Sequence, residues 1–580
     1  MKTLHKIALV LLVLLGIVSC IKSVYEPDIW WQIATGNWIL ENGKVPTTDI
    51  FSYTYAGDPW INVKWGSEVV MALFTNSFGV ELLPIIQMLV LMIMWFVLYR
   101  TSLLLITTTF SKEIIRTAFG VVSVLFLFLV NYRLNSRPEM FSHLFTTVLL
   151  YLLIRFYKTN SPFIFWLIPL QILWVNMHEA FGVGMVVSVL FTLVLWFEHL
   201  FLYRKYAVGF SHPPIKLSLA TLISILSVSI NPQGIKMILH PFNILGQLNE
   251  NKYTEELISY NTEGYWQYQS ITMVILTAIF LVYMLRKGKG TLLSKPSSLF
   301  GLAPTLVIFS FLYLSLTSFR NIPFFLIALF PVLVWVVGSI ISSFGTPKSW
   351  SFSLIASQVV FYIILVNGTF YSTLLPQEKY GLQVRAEMNP IGVSNFMIEQ
   401  NIQGKGFVDY LTSSYLLYKN PGFKSYIDLR DLDVFPTNFF DNVFVIYQNP
   451  SMPIQGGGTP WSFADSVDQF NYVVTLNNPQ FQQFNKFLFH ENPVFELIYA
   501  DNLNSLFIRK TEKNKNLIHQ FGFKPNRAIF RQTTLPKTNP LATSISRIFK
   551  WNYQPEKARD FATQTQSNAY YSYLGIQYVN

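Results

Sequence analysis

The sequence predicts an α-helical polytopic membrane protein of about eleven transmembrane helices, followed by a C-terminal extracytoplasmic mixed α/β domain. Three observations predict it. The 580 residues are 52% hydrophobic and only 13% charged, where soluble domains carry roughly 25% charged residues. Mean hydropathy is +0.37, which excludes a disordered chain and argues against an ordinary cytosolic enzyme. The apolar character is also unevenly spread. Up to about residue 371 the chain is a series of bilayer-length apolar runs, and beyond it come Pro, Asn, Gln and short alternating segments.

Taken in order, the apolar runs fall at 7–24, 83–106, 117–131, 139–157, 162–177, 182–203, 215–231, 269–285, 297–317, 321–343 and 351–371. The runs near 117 and 162 are short for a bilayer. Orientation follows from Lys and Arg. With the N-terminus in the cytoplasm, the inner segments of the membrane half hold 15 basic residues and the outer segments 8. An odd number of spans then places residues 372–580 outside. The net charge of +11 fits lipid headgroups and this topology, and no nucleic-acid partner is expected. Lys2, Lys6 and the apolar run ending in Ile17-Val18-Ser19-Cys20 also look like a lipoprotein signal. Both an uncleaved first helix and a form lipidated at Cys20 stay open. Cys20 is the only cysteine, so an internal disulfide framework and a Cys-based zinc site are excluded.

The domains expected are 1–371 in the membrane with a first outer loop at 25–82, 372–510 as an α/β domain, and 511–580 as a loop with a helical extension at Ala558–Tyr578. In the first outer loop, Trp30, Trp31, Trp38, Trp60 and Trp65 suggest a segment lying along the membrane interface, with a helix over 30–42. In the α/β domain, strands are expected at Gly406–Asp409, Lys424–Asp428, Tyr472–Thr475, Phe495–Ala500 and Ser505–Arg509. Helices are expected at 390–401 and Ser413–Tyr418, and the alternation favours a small Rossmann-like sheet.

Ionisable groups at membrane depth are costly and usually face an interior or a wet cavity. Four outer edges carry them: Arg133, Arg137-Pro138-Glu139 and His143; Asn176 to Glu179, including His178; Asn231-Pro232 and His240-Pro241; and Arg320-Asn321. Three arginines at one end of a bundle describe a site for an anion, because the planar guanidinium suits phosphate or diphosphate. Several decoys fall away. His178-Glu179-Ala180-Phe181-Gly182 is not a zincin motif, because its fifth position is glycine. Asp431-Leu432-Asp433 lacks a phosphate-cradling loop, and Gly456-Gly457-Gly458 reads as a flexible loop.

The first-loop pattern is long: Asp28-x-Trp30-Trp31-x-x-x-Thr35-Gly36, Gly43-x-x-Pro46-x-x-Asp49-x-Phe51-Ser52, Gly57-x-Pro59-Trp60 and Trp65. It resembles the first outer loop of bacterial polytopic proteins of the C-superfamily of glycosyltransferases (GT-C). Arg137-Pro138, Trp174-x-Asn176-x-His178, Asn231-Pro232-x-Gly234, His240-Pro241, Arg320-Asn321-x-Pro323, Ile427-Asp428-x-Arg430 and Tyr499-Ala500-Asp501 extend the likeness. The resemblance implies transfer of a sugar from a polyprenyl-phosphate donor at the outer face. It also implies an acid in the first loop acting as base or metal ligand, by position Asp28 with Glu26 beside it. Arg133, Arg137, Arg320 and His178 are then the candidates for the donor phosphate, and Glu179, Asp49 and His240 for the acceptor or for supporting roles. A divalent cation, Mg or Mn, would be the expected cofactor if one is used. Where the family often has glycine after the histidine, this chain has Glu179. A transporter or flippase of lipid-linked or anionic solutes, and a non-catalytic subunit recruiting envelope proteins through 372–580, are the other function classes.

Overall fold

The structure, a computed structural model, describes residues 2–106, 109–206, 209–243, 257–287, 301–344, 347–430 and 433–523. The chain divides into two compact units. One comprises Met1–Lys22 and Leu83–Tyr380, the other Ser23–Leu82 and Gly381–Asn580. The segment 25–82, read from sequence as a loop of the membrane domain, is therefore grouped with the C-terminal part of the chain.

The first unit is a helical membrane domain. Each of the eleven apolar runs coincides with a helix. Among the described residues, seven helices are long and apolar enough to cross a membrane: Thr3–Cys20, Val80–Ile106, Lys112–Arg133, Glu139–Thr159, Phe181–Tyr203, Phe319–Phe344 and Lys348–Val366. Pro162–Val175, Ile215–Ser227, Tyr268–Val282 and Leu302–Thr317 are shorter. The run near 117 becomes a 22-residue helix. Its charged first turn does not register as apolar, and Ser111 caps it by accepting the Ile114 N–H at 3.4 Å. Helix Ile322–Phe344 is apolar on every side and buried over most of its length, as a central helix must be. It packs against Lys112–Val130, Leu302–Thr317, Pro84–Ile106 and Glu139–Thr159. Cys20 closes the first helix as a buried residue.

The second unit contains a four-stranded sheet in the order β1 (Gly406–Val408), β2 (Tyr472–Leu476), β4 (Asn504–Arg509), β3 (Phe495–Ala500). Only β1 and β2 are parallel; β4 runs antiparallel to both β2 and β3. The sheet is thus mixed, and the Rossmann-like expectation holds only for one βαβ crossover. Gly406 is required in β1, because a Cβ there would lie 2.1 Å from the Tyr472 ring. The expected strand at Lys424–Asp428 is not part of the sheet. Ser425 instead exchanges backbone hydrogen bonds with the first loop, Tyr53 N to Ser425 O at 3.1 Å and Ser425 N to Phe51 O at 3.0 Å. The helix expected at 413–418 spans Tyr410–Lys419, because Asp409 caps it by accepting the N–H groups of Leu411 and Thr412. Gly456, Gly457 and Gly458 all have positive φ, a path that glycine follows without strain. They lead into the capping box at Thr459. The C-terminal helix expected at Ala558–Tyr578, together with Asp431 and Leu432, lies outside the described residues.

The tryptophans of the first loop need a correction. Helix Asp28–Asn42 does form, but Trp30, Trp31 and Trp60 are buried in protein rather than laid on a membrane surface. The Trp30 indole donates to Asn389 Oδ1 at 2.7 Å and packs on Tyr415 and Tyr418. A partner helix, Trp65–Phe78, lies so close that a Cβ on Gly36 would meet Glu68 O at 2.2 Å.

Asp409 is fully enclosed, and burial pushes its carboxyl up to about 6, against the lowering effect of its hydrogen bonds to Thr412 and Leu411. A carboxyl with a raised folded pKa binds its proton more tightly in the native state. Its contribution to stability is therefore greatest at low pH and is lost as pH rises from about 4 to about 6. Asp409→Asn is expected to flatten that window in thermal-unfolding midpoints measured from pH 4 to 7.

Candidate functional site

The polar helix ends of the membrane unit converge at the N-terminal end of helix Glu139–Thr159. The turn Asn131–Arg133 ends the preceding helix, and Phe319–Asn321 opens the central one. Tyr132 clamps these turns together: its hydroxyl donates to Phe319 O at 3.0 Å and its ring packs on Phe319. Lys22 braces the first turn from below. Its ammonium donates to the Asn131 carbonyl and, at 3.2 Å, to Asn135 Oδ1, and pairs with Glu378 at 3.4 Å.

Glu139 is the centre of the cluster. It forms an ion pair with Arg133, both side chains being 7% exposed, and its carboxylate lies 4.0 Å from Arg320 Nε and 3.9 Å from His143 Nε2. Arg320 is the more open member, with 27% of its side chain exposed. Arg137 sits two residues before the helix, where its backbone N–H bonds Asn135 O. Two guanidiniums, those of Arg133 and Arg320, face one carboxylate and leave a net positive charge, and Arg137 adds a third cation two residues before the helix. The N-terminus of a 21-residue helix adds to it. The arrangement suits an anion that completes the neutralisation.

His178 joins the same end. Its Nδ1 lies 2.8 Å from Ser142 Oγ, and the Trp174 indole donates to that hydroxyl at 2.8 Å. The Ala180 N–H also donates to Nδ1, at 3.3 Å. Asn176 and Asn231 act as a clasp between two short helices. The Asn176 amide donates to Ile230 O at 2.9 Å, and the Asn231 amide donates to Val175 O and Asn176 Oδ1, each at 3.1 Å. His240 is buried with its ring parallel to that of Phe181. Burial lowers its pKa, and the neighbouring Glu179 charge opposes this. Gly182 permits the approach: a Cβ there would lie 2.6 Å from Pro241 Cβ. Gly182→Ala is expected to destabilise the membrane unit by about 1–3 kcal/mol, measured as a lower unfolding midpoint of the purified protein.

The structure therefore gathers Arg133, Arg137, His178, Glu179, His240 and Arg320 in one unit and at linked turns. Glu139, His143, Ser142 and Trp174 complete the set. They were not assigned roles from the sequence. The available signal was an acid in a first helical turn two residues after Arg137-Pro138, but its pairing with Arg133 and Arg320 is non-local. One turn further along, Thr147 donates to His143 O at 2.8 Å. It borders a small apolar cleft whose walls include Leu98, Leu150, Phe191, Val307 and Pro331.

The first-loop candidates lie in the second unit. Asp28 opens helix Asp28–Asn42, half-buried, and accepts the Trp31 indole N–H at 3.3 Å. Glu26 is buried just before it. Asp49, expected at the acceptor or in a supporting role, lies in a buried ion-pair network. It is fully enclosed and ion-paired to Arg430, and it also accepts the Phe51 N–H at 2.9 Å and the Ser52 hydroxyl. Arg430 is paired in turn with Asp428 at 2.7 Å and packs on the Trp60, Phe51 and Phe435 rings. Asp49 thus works as a strut. Among the described residues no three His, Cys, Asp or Glu side chains come together as a cation-binding set. Asp28 and Glu26 by themselves do not make a divalent-ion site.

No family model matches the sequence, and no curated protein matches it. Solved structures do match in fold. The oligosaccharyltransferase of Archaeoglobus fulgidus in its apo form superposes with a TM-score of 0.53 at 10% identity, covering 87% of this chain and 74% of that one. ArnT from Cupriavidus metallidurans, bound to undecaprenyl phosphate, gives 0.50 at 10% identity, over 87% of this chain and 97% of that one. AglB of Archaeoglobus fulgidus, in complex with an inhibitory peptide and a dolichol-phosphate, gives 0.50 at 10% identity, over 85% and 73%. The chain has the GT-C fold. Within that fold, the helical membrane unit carries the arginine cluster, and the second unit carries the first-loop acids.

Proposed function

We propose that this GT-C protein transfers a sugar from a polyprenyl-phosphate-linked donor to an acceptor at the outer face of a bacterial inner membrane, inverting the anomeric centre. The observation that carries the reading is the Glu139-centred cluster, where Arg133 and Arg320 face one carboxylate and Arg137 lies in the turn before it, on a helix whose Thr147 borders an apolar cleft. A lipid phosphate would place its charge against Arg133, Arg137 and Arg320 and its first isoprene units toward the cleft. The two solved structures of this fold that hold dolichol-phosphate and undecaprenyl phosphate support the substrate class.

Chemically, the departing phosphate gains negative charge as the glycosidic bond breaks, and preorganised guanidiniums stabilise it. The acceptor hydroxyl must lose a proton, and Asp28 is the base assigned to take it. A single attack by the acceptor on the face opposite the phosphate gives inversion. The N-terminus is cytoplasmic and the second unit periplasmic in this reading, which a C-terminal reporter fusion tests directly. Arg320→Ala is expected to weaken undecaprenyl-phosphate binding about tenfold, the loss of one hydrogen bond to a charged group. Titration of the purified protein with the lipid checks it, and unchanged affinity would remove Arg320 from the site.

A further inference from the structure

We propose that Trp174 and Ser142 form a proton-orienting relay that fixes His178 as a neutral imidazole with its proton on Nε2, making it a hydrogen-bond donor toward the anionic group of the substrate. The placement at the substrate rests on the glycosyltransferase reading above; the relay itself does not.

The argument uses donors that have no choice. An indole N–H can only donate, so Ser142 Oγ must accept from Trp174 Nε1 at 2.8 Å. One lone pair of the hydroxyl is thereby taken, and its proton is available to its other close neighbour, His178 Nδ1, also at 2.8 Å; the direction of that bond is decided at the ring. A second donor settles it. The Ala180 backbone N–H points at Nδ1 from 3.3 Å, and a backbone amide cannot turn into an acceptor. A proton on Nδ1 would face this donor head-on, so both the Nδ1–H tautomer and the imidazolium are disfavoured. Nδ1 is left as an acceptor, and the proton of the neutral ring resides on Nε2. His178 is 5% exposed and Trp174 is fully enclosed, so water does not compete well for these bonds. Gly184 lets the indole seat, since a Cβ there would lie 2.9 Å from its ring. Ser142 is one residue from His143 and three from Glu139, on the same helix, which sets the relay against the arginine cluster.

Trp174 and Ser142 are thus positioning residues that act through His178. In this role the ring cannot serve as a base through Nδ1. It supplies a donor that carries no charge of its own, and so would complete the coordination of a phosphate without adding to the charge of three arginines.

The test reads the tautomer directly. Full-length protein labelled with ¹⁵N-histidine in lipid nanodiscs is expected to show His178, assigned by the signal lost in His178→Gln, with an unprotonated Nδ1 and a protonated Nε2. Ser142→Ala and Trp174→Phe are each expected to give a mixture of tautomers. Because Trp174 is large and buried, its variant could fail to fold; Ser142→Ala removes a single hydroxyl and keeps the test decisive. In undecaprenyl-phosphate titrations, His178→Leu is expected to lose about tenfold in affinity. His178→Gln, whose amide N–H reproduces the Nε2 donor, is expected to recover most of that loss. A proton on Nδ1 in the unaltered protein, or an unshifted tautomer in Ser142→Ala, overturns the relay. Equal affinities of the leucine and glutamine variants overturn the donor role. Failure of the glycosyltransferase reading would look different: no sugar transfer by unaltered protein that shows the expected tautomer.

Discussion

Arg430→Ala is expected to destabilise the second unit by about 3–5 kcal/mol, the usual cost of removing one partner from a buried ion pair. The guanidinium is fully enclosed and faces two carboxylates, Asp49 from the first loop and Asp428 two residues away. Burial disfavours the charged guanidinium, and the charges of Asp428 and Asp49 overcome this, so its pKa lies above the usual arginine value. Without it, two carboxylates remain buried side by side. The Ser425 hydroxyl, 2.6 Å from Asp428 Oδ2, and the Phe51 N–H can stabilise them only in part. The cation also packs on Trp60, 4.9 Å from the ring centre, so Arg430→Lys should fall between the two, keeping the charge but losing the planar fork. Thermal unfolding and limited proteolysis of purified protein measure this. A loss below about 1 kcal/mol for the alanine variant would show that the pair is solvated and that the knot does not hold the first loop.

Asp28→Asn is expected to lower sugar transfer about 100- to 10,000-fold, the contribution of a positioned general base, while leaving the fold intact. Asparagine keeps an oxygen for the Trp31 indole N–H, which Asp28 accepts at 3.3 Å, so helix Asp28–Asn42 retains that local bond. What it loses is the ability to take a proton. Lipid extraction and glycan profiling of a deletion strain, complemented with the variant at normal expression, provide the measurement. Full transfer by Asp28→Asn would reassign the base, with Glu26 the next residue to replace. Unlike Arg430→Ala, this variant should unfold at the same temperature as the parent, which separates a chemical defect from a folding one.

Much of the fold was legible because its determinants are local. Every apolar run lies on a helix, and four of the five expected strands form. Lys424–Asp428 departs from its alternating pattern because Ser425 and Asp428 are engaged by the first loop and by Arg430. The tryptophans misled for a related reason. A Trp at an interface and a Trp in a core look the same in sequence, and Trp30 is distinguished only by Asn389 and two tyrosines more than 350 residues away. Asp49 could be read from sequence as an acceptor-site acid or as a support; its pairing with Arg430, 381 residues on, is visible only in the fold.

The sequence by itself determined that the chain is a helical membrane protein with a C-terminal α/β part, and which scarce polar residues lie at the helix ends. These follow from hydropathy over windows of about 20 residues, which the chain carries locally. The tertiary structure alone decided that Glu139 pairs with Arg133 and lies beside Arg320, that Trp174 and Ser142 line up on His178, and that Asp49 is held by Arg430. Each of these depends on which charge or donor comes within about 4 Å of another. At that range Coulomb and hydrogen-bond energies are set by packing, and residues far apart in sequence supply the partners.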